Sequence, residues 1–173
     1  MPDRWQEFIV AFKKSITAIE DRYFQVDRTN APAAWRERAY CYELYHQLRN
    51  NLPEGFPYTL HGEIDKRGHE EICLHFEGCP NPDFIIHEPG TMNNLTVIEV
   101  KHSGNSTIKA NDDITKIRTF INQVGYQHGI FLIFGNRLIE GLKINNEKIS
   151  VLWHKAVGQP LELISGDQGW THD

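Results

Sequence analysis

A run of seven apolar or glycine residues at 129–135 constrains the fold of this chain more than any other feature. A continuous run of this kind is typical of a strand buried on both faces of a sheet. An apolar strand is predicted earlier, at 95–102, and a helix with apolar residues three and four positions apart is predicted at 111–123. A strand, a helix and a second buried strand in this order predict a parallel crossover, with helices covering both faces of the sheet.

The other elements complete an α/β fold with a mixed sheet. Apolar residues at helical spacing predict helices at 5–23 and at about 32–49, and residues 25–32 are predicted to connect them. Alternation with period two predicts a meander of strands, and a last strand is expected before a polar, frayed tail. The predicted strands are 58–66, 69–77, 83–87, 95–102, 129–135 and 149–154, and the tail is 165–173. We therefore expect a central sheet of four to five strands flanked by helices.

The chain is predicted to form a single domain. With 173 residues it is long enough for a sizeable core, and no repeat, low-complexity tract or linker divides it. A core at about 32–136 would be preceded by the helix at 5–23 and followed by the strand and tail at 137–173. No basic segment with an apolar run begins the chain, and no stretch approaches the roughly 20 apolar residues of a membrane span. The sequence predicts a cytoplasmic protein without a membrane partner.

Charge and cysteine content limit the classes of function. A net charge of −5 counts against a simple nucleic-acid-binding protein, but nine acids and two bases lie between residues 54 and 99, so the rest of the chain is slightly basic. An acidic segment suits a bound cation. The odd count of three cysteines disfavours disulfides. Cys73 and Cys79, near His69 and His75, lack the paired CxxC spacing of structural zinc sites, so we expect buried apolar thiols instead.

Two carboxylates and one lysine are predicted to converge. Asp83 follows Pro82 and begins one strand, whereas Glu99 and Lys101 lie two residues apart on the next and therefore share a face. If these strands pair antiparallel through the loop at 88–94, the start of the first meets the end of the second. Adjacent carboxylates repel each other unless a cation lies between them. Mg²⁺ prefers such oxygen ligands, so the residues predict metal-assisted hydrolysis of a phosphodiester.

These residues resemble the PD-(D/E)xK signature of the restriction-endonuclease-like nuclease superfamily. Pro82 and Asp83 match the first part, and Glu99-x-Lys101 matches the second. The predicted order of elements at about 32–136 is similar to the αβββαβ core of that superfamily. The resemblance implies an endonuclease that depends on Mg²⁺ or Mn²⁺ and usually cleaves DNA.

The resemblance also implies roles for individual residues. Asp83, Glu99 and the Val100 carbonyl would be metal ligands, and Lys101 would be the catalytic lysine. Many members add a glutamate on the helix before the strands, for which this chain offers Glu37 and Glu43. Helical phase favours Glu37, at the end of the apolar stripe, but both stay candidates. Gln47 and Lys116 are weaker candidates for contact with phosphate.

Three other interpretations stay open. Glu99 and Lys101 would be a surface strand pair if no helix covered them, although Ile98 and Val100 fill only one face of that strand. The acidic charge favours a non-catalytic module that binds protein or nucleic acid on the same fold. A narrower site of the same composition would hydrolyse a small phosphoester. As a nuclease, a chain of this size would obtain specificity from loops, a homodimer or a partner protein.

Overall fold

The structure, a computed structural model, describes residues 3–63 and 81–171, which form both helices and strands. In chain order the elements are α1 (Arg4–Thr17), α2 (Asp21–Phe24), β1 (Val26–Arg28), β2 (Ala31–Ala34), α3 (Glu37–Asn51), β3 (Thr59–Gly62), β4 (Phe84–His87), β5 (Asn94–His102), α4 (Thr107–Thr119), a π-helical turn (Phe120–Val124), β6 (Tyr126–Phe134), β7 (Ile149–His154), β8 (Glu162–Ser165) and a 3₁₀ turn (Gln168–Thr171). The predicted strand at 69–77 lies outside the described residues, as do Cys73 and Cys79.

A mixed sheet of six strands, in the order β3-β4-β5-β6-β7-β8, forms the centre of the described chain. β3, β4 and β5 pair antiparallel, β5, β6 and β7 pair parallel, and β8 returns antiparallel to β7. The predicted mixed sheet and the parallel crossover from β5 to β6 are confirmed. The sheet has more strands than the predicted four to five, because the segment after β7 adds β8 at the edge.

Two cores lie on opposite faces of the sheet. On one face, α1 and α3 pack against alternate strand residues such as Ile98, Val100 and Leu132. On the other face, α4 and the π-helical turn pack against the intervening residues, among them Val97 and Ile133. Alternation of side chains along each strand therefore fills both cores, as expected for a sheet covered by helices on both sides. No helix within the described ranges is long and apolar enough to cross a membrane.

Several predicted boundaries between helices are wrong. The helix predicted at 5–23 ends at Thr17, and α2 follows as a separate short helix. Residues 26–34 form a hairpin of two strands instead of a connection followed by a helix start. Pro32 fits β2, since a proline is tolerated in an exposed edge strand. Asn30 adopts φ +59° in the turn, a conformation that asparagine tolerates, and α3 begins only at Glu37.

The helix after β5 and the end of the chain also differ from the prediction. α4 begins at Thr107, four residues early, because the Ser106 side chain accepts from the Lys109 N–H and caps it. Residues 165–171, predicted to be frayed, contain the end of β8 and the 3₁₀ turn. Trp170 is only 4% exposed and packs edge-on against Trp5, at 5.7 Å between ring centroids. A buried tryptophan therefore fixes this segment to α1.

Gly129→Ala is expected to destabilise the protein by about 1–3 kcal/mol through overpacking. An added Cβ would lie 2.3 Å from Ile117 Cγ2 and 3.0 Å from Ile121 Cδ1, so α4 approaches β6 too closely for a side chain. Urea denaturation measures the change. Since Ile117→Ala removes the nearest obstructing atom, the double variant should be less destabilised than the sum of the two single variants. Strictly additive effects would contradict this account.

Candidate active site

Asp83 and Glu99 meet because β4 and β5 pair antiparallel. Phe84 lies opposite Ile98, so Asp83, one residue before β4, falls beside Glu99. The Val100 N–H donates to Asp83 Oδ2 at 2.7 Å, which fixes this carboxyl at the edge of β5. The predicted antiparallel pairing of these strands is confirmed. Glu99 is 2% exposed and Lys101 half-buried, so these residues are not a surface strand pair.

Burial makes the negative charge of both carboxyls unfavourable. It raises the pKa of Asp83 to about 6, although the hydrogen bond from the Val100 N–H opposes the shift. It also raises the pKa of Glu99 well above the usual range, and the neighbouring Asp83 charge adds to the effect. A buried carboxyl and a partly buried one so close together favour a bound proton or a cation over the doubly ionised state. A positive charge beside Asp83 and Glu99 would therefore stabilise their ionised forms.

Helix α4 brings a second lysine to this pair. Lys116 Nζ lies 2.8 Å from Glu99 Oε1 and forms an ion pair with it. The same ammonium lies 3.1 Å from Asp113 Oδ1, one helical turn earlier. Burial alone would lower the pKa of Lys116, but Glu99 and Asp113 outweigh it and hold the pKa above its ordinary value. Lys116 is therefore a positive charge directed at Glu99.

Lys101 contacts the other carboxylate oxygen of Asp113. Its Nζ lies 3.1 Å from Asp113 Oδ2 and 3.2 Å from Glu37 Oε1. Burial alone would lower the pKa of Lys101, but these two carboxylates outweigh it and hold the pKa above its ordinary value. Lys101 is therefore protonated in this arrangement. It lies between two carboxylates as a positive charge.

The structure separates the two candidate glutamates of α3. Glu37, the first residue of the helix, reaches Lys101. Glu43 is buried elsewhere, where it accepts from Gln47 Nε2 at 2.6 Å and lies 3.4 Å from His46 Nδ1. Six residues turn a helix by roughly 240°, so the two carboxylates cannot share one site. The structure therefore brings Glu37 to Lys101 and leaves Glu43 and Gln47 away from it.

Asp113 is the residue that sequence reasoning missed. The helix predicted at 111–123 would hold Asp113 in its first turn, where a negative charge suits the helix dipole, but α4 begins six residues before Asp113, at Thr107. Asp113 is 9% exposed and stands among the buried residues Ala110, Ile114 and Ile117. A charged residue within the apolar stripe of a helix was the available signal. Lys116, three residues on, follows the same face.

The donor set fits a hard divalent cation. Asp83 and Glu99 supply carboxylate oxygens, and Glu99 Oε1 is a buried acceptor without a hydrogen bond. The charged cluster at this site consists of four carboxyls and two ammonium groups, those of Glu37, Asp83, Glu99, Asp113, Lys101 and Lys116. Its net charge is −2 when all six groups are ionised. Within the described ranges no three His, Cys, Asp or Glu side chains converge as a metal site. The predicted ligand set is smaller, since it consists of two carboxylates and the Val100 carbonyl.

A groove of about 370 Å³ opens beside Asp83. Tyr42, Tyr45 and His61 are among its lining residues, and Tyr42 is 61% exposed. Glu63, also at the groove, lies 3.4 Å from the exposed Arg38 guanidinium. The groove therefore leads from the surface to Asp83.

Comparison with known proteins adds no family to this description. No protein-family model matches the chain, and no curated protein matches it at a significant level. The likeness to PD-(D/E)xK nucleases therefore depends on Asp83, Glu99 and Lys101, and on the order of the elements around them.

Proposed function

We propose that the protein is a nuclease of the PD-(D/E)xK type that depends on Mg²⁺ or Mn²⁺ and hydrolyses phosphodiester bonds, with DNA as the favoured substrate. One observation carries the proposal: Asp83 and the buried Glu99 are adjacent on one face of the sheet, and Lys101 and Lys116 reach the same place, where both lie in ion pairs with Asp113. Opposite charges at this density suit a substrate that brings both a phosphate and a cation.

The order of elements supports the same assignment. Along the described residues, with 64–80 left out, α3, the antiparallel strands β3 to β5, α4 and β6 come in the order helix, three strands, helix and strand. This order agrees with the αβββαβ core of restriction-endonuclease-like enzymes. The motif residues lie at the centre of it, since Asp83 precedes β4 and Glu99 and Lys101 belong to β5.

The residues divide the work by charge. Asp83, Glu99 and the Val100 carbonyl would hold the ion. The bound ion supplies a Lewis acid that lowers the pKa of water and stabilises charge at phosphorus. Lys101, held between Glu37 and Asp113, is fixed where it offsets negative charge on a phosphate. Because the Lys101 ammonium is already placed by two carboxylates, little reorganisation is needed when substrate arrives.

Basic residues near the cluster answer the objection that a protein with a net charge of −5 would repel nucleic acid. Arg36 and Arg38 are exposed and flank Glu37 at the start of α3. Such residues would contact the phosphate backbone on either side of the cleaved bond, where most affinity for nucleic acid arises. The proposal includes a cytoplasmic location. It also assigns substrate specificity to loops, to a second copy of the chain or to a partner protein.

A non-catalytic interaction module on the same fold is the second candidate. The net charge of −5 favours it, because an acidic surface repels nucleic acid unless basic residues cluster. In that case the lysines and carboxyls would only stabilise the fold by pairing. The two candidates differ in whether the cluster binds a divalent cation.

The deciding experiment is a cleavage assay with Mg²⁺ or Mn²⁺ on linear, supercoiled, single-stranded and branched DNA and on RNA. Lys101→Met should lower the cleavage rate by about 10²–10³-fold, since it removes a positioned charge. Lys14→Met, on the exposed side of α1 beyond the opposite core, should cleave like the wild type. Cleavage without a divalent cation, or equal rates for both variants, would refute the mechanism. No cleavage together with no metal binding in calorimetry would favour the interaction module.

A further inference from the structure

Lys116 already fills part of the position that a divalent cation would take. Its ammonium lies 2.8 Å from Glu99 Oε1, the same buried oxygen that fits a metal ligand. A divalent cation on that oxygen would place two positive centres within a few ångströms of each other in a poorly solvated site, where their repulsion is strong. Lys116 and the metal therefore compete for Glu99.

Asp113 offers Lys116 a second partner within reach. The ammonium is 3.1 Å from Asp113 Oδ1, and the two residues are one turn apart on α4, so the lysine can leave Glu99 and keep this contact. The other oxygen of Asp113 holds Lys101 at 3.1 Å. One carboxylate thus keeps both ammonium groups on the same side of the cluster.

We propose that Lys116 is an internal counter-ion of Glu99 that the metal displaces, and that Asp113 is the positioning residue that retains the displaced ammonium beside the site. The inference rests on the proposed function and adds a determinant of its metal affinity. In the metal-free protein, Lys116 offsets the charge of the buried Glu99. In the loaded protein, the same ammonium lies next to the position of the phosphate.

The consequences for two measurable quantities are opposite. Removal of the Lys116 charge eliminates a competitor, so the metal binds more tightly. It also removes a positive charge from the phosphate side, so the maximal cleavage rate falls. A residue that only stabilised the fold would not tighten metal binding. Lys116→Arg keeps the charge and should therefore keep the weaker metal affinity of the wild type.

Mn²⁺ binding to the full chain, measured by calorimetry at pH 8 and 0.1 M salt, tests the proposal. Lys116→Met should lower the Kd for Mn²⁺ by about tenfold or more. Lys101→Met is the matched control, because it removes an equal charge that contacts Glu37 and Asp113 but not Glu99. Its effect on the Kd should be clearly smaller. If Lys116→Met impairs folding in thermal melts, Lys116→Gln removes the same charge.

The outcomes separate this inference from the proposed function. Tighter binding by Lys116→Met than by Lys101→Met supports displacement, as does binding by Lys116→Met when the wild type binds none. Equal tightening by both variants, or no tightening, would overturn displacement even if the wild type cleaves DNA. Absence of Mn²⁺ binding in the wild type and in all variants would overturn the proposed function and the inference with it.

Discussion

Ile133→Ala is expected to lower the free energy of unfolding by about 2–5 kcal/mol. Ile133 is fully buried near the end of β6, where its neighbours in the sheet are Lys101 on β5 and Trp153 on β7. Truncation would leave a cavity between the sheet and α4, which strands on both sides prevent from closing. Chemical denaturation, with the slope against denaturant compared between variants, measures the loss.

Two further substitutions serve as controls for Ile133→Ala. Ile108 on α4 is 75% exposed, so Ile108→Ala should change stability by less than about 0.5 kcal/mol. Leu132→Ala removes an equally buried side chain on the opposite face of β6 and should cost as much as Ile133→Ala. If Ile133→Ala lowers stability no more than Ile108→Ala does, Ile133 is not buried in the core between the sheet and α4.

The strands at the centre of the sheet were predictable because their patterns leave few alternatives. A strand with one exposed face would alternate apolar and polar residues, whereas the sequence of β6 is apolar at consecutive positions. For β7, the predicted bounds are those of the structure, Ile149–His154. The failures lie where distant contacts decide. The hairpin at 26–34 has no apolar pattern of its own, and Trp170 is buried because Trp5 and Phe12 contact it from α1.

The candidate site was predictable in the part that depends on strand geometry. Period-two alternation placed Glu99 and Lys101 on one face, and antiparallel pairing brought Asp83 to them. Contacts from α4 depend on how that helix is rotated and shifted over the sheet, which no spacing in the sequence specifies. Asp113 was therefore missed, and Lys116 was named only for phosphate and not for its contact with Glu99.

Asp83→Asn is expected to stabilise the metal-free protein at pH 7 by about 1–3 kcal/mol while it abolishes metal binding. The folded state raises the pKa of Asp83 from 3.8 to about 6, so between these pH values it binds more protons than the unfolded state. Stability contributed by this group therefore falls as pH rises through that window, and the full penalty applies above about pH 6. Asparagine carries no charge and can still accept from the Val100 N–H.

His154 requires that the wild type and the variant be compared at each pH. Burial lowers the pKa of His154 to about 4, so between about pH 4 and 6.5 the folded state binds fewer protons at this residue. Its contribution to stability therefore rises with pH and opposes that of Asp83 over nearly the same range. The difference between the two proteins cancels the contribution of His154 and keeps that of Asp83 together with its coupling to Glu99.

Urea denaturation of both proteins between pH 4 and 8, with EDTA and then with Mn²⁺, tests the prediction. In EDTA the stability advantage of Asp83→Asn should appear between pH 4 and 6 and stay constant above. With Mn²⁺ the wild type should gain stability by ligand binding and the variant should not. Asp27→Asn, at an exposed position of β1, should follow the wild type in both conditions. A variant less stable than the wild type in EDTA at pH 7 would show that the Asp83 charge is compensated within the folded protein, and the cluster would then have no need of a further cation.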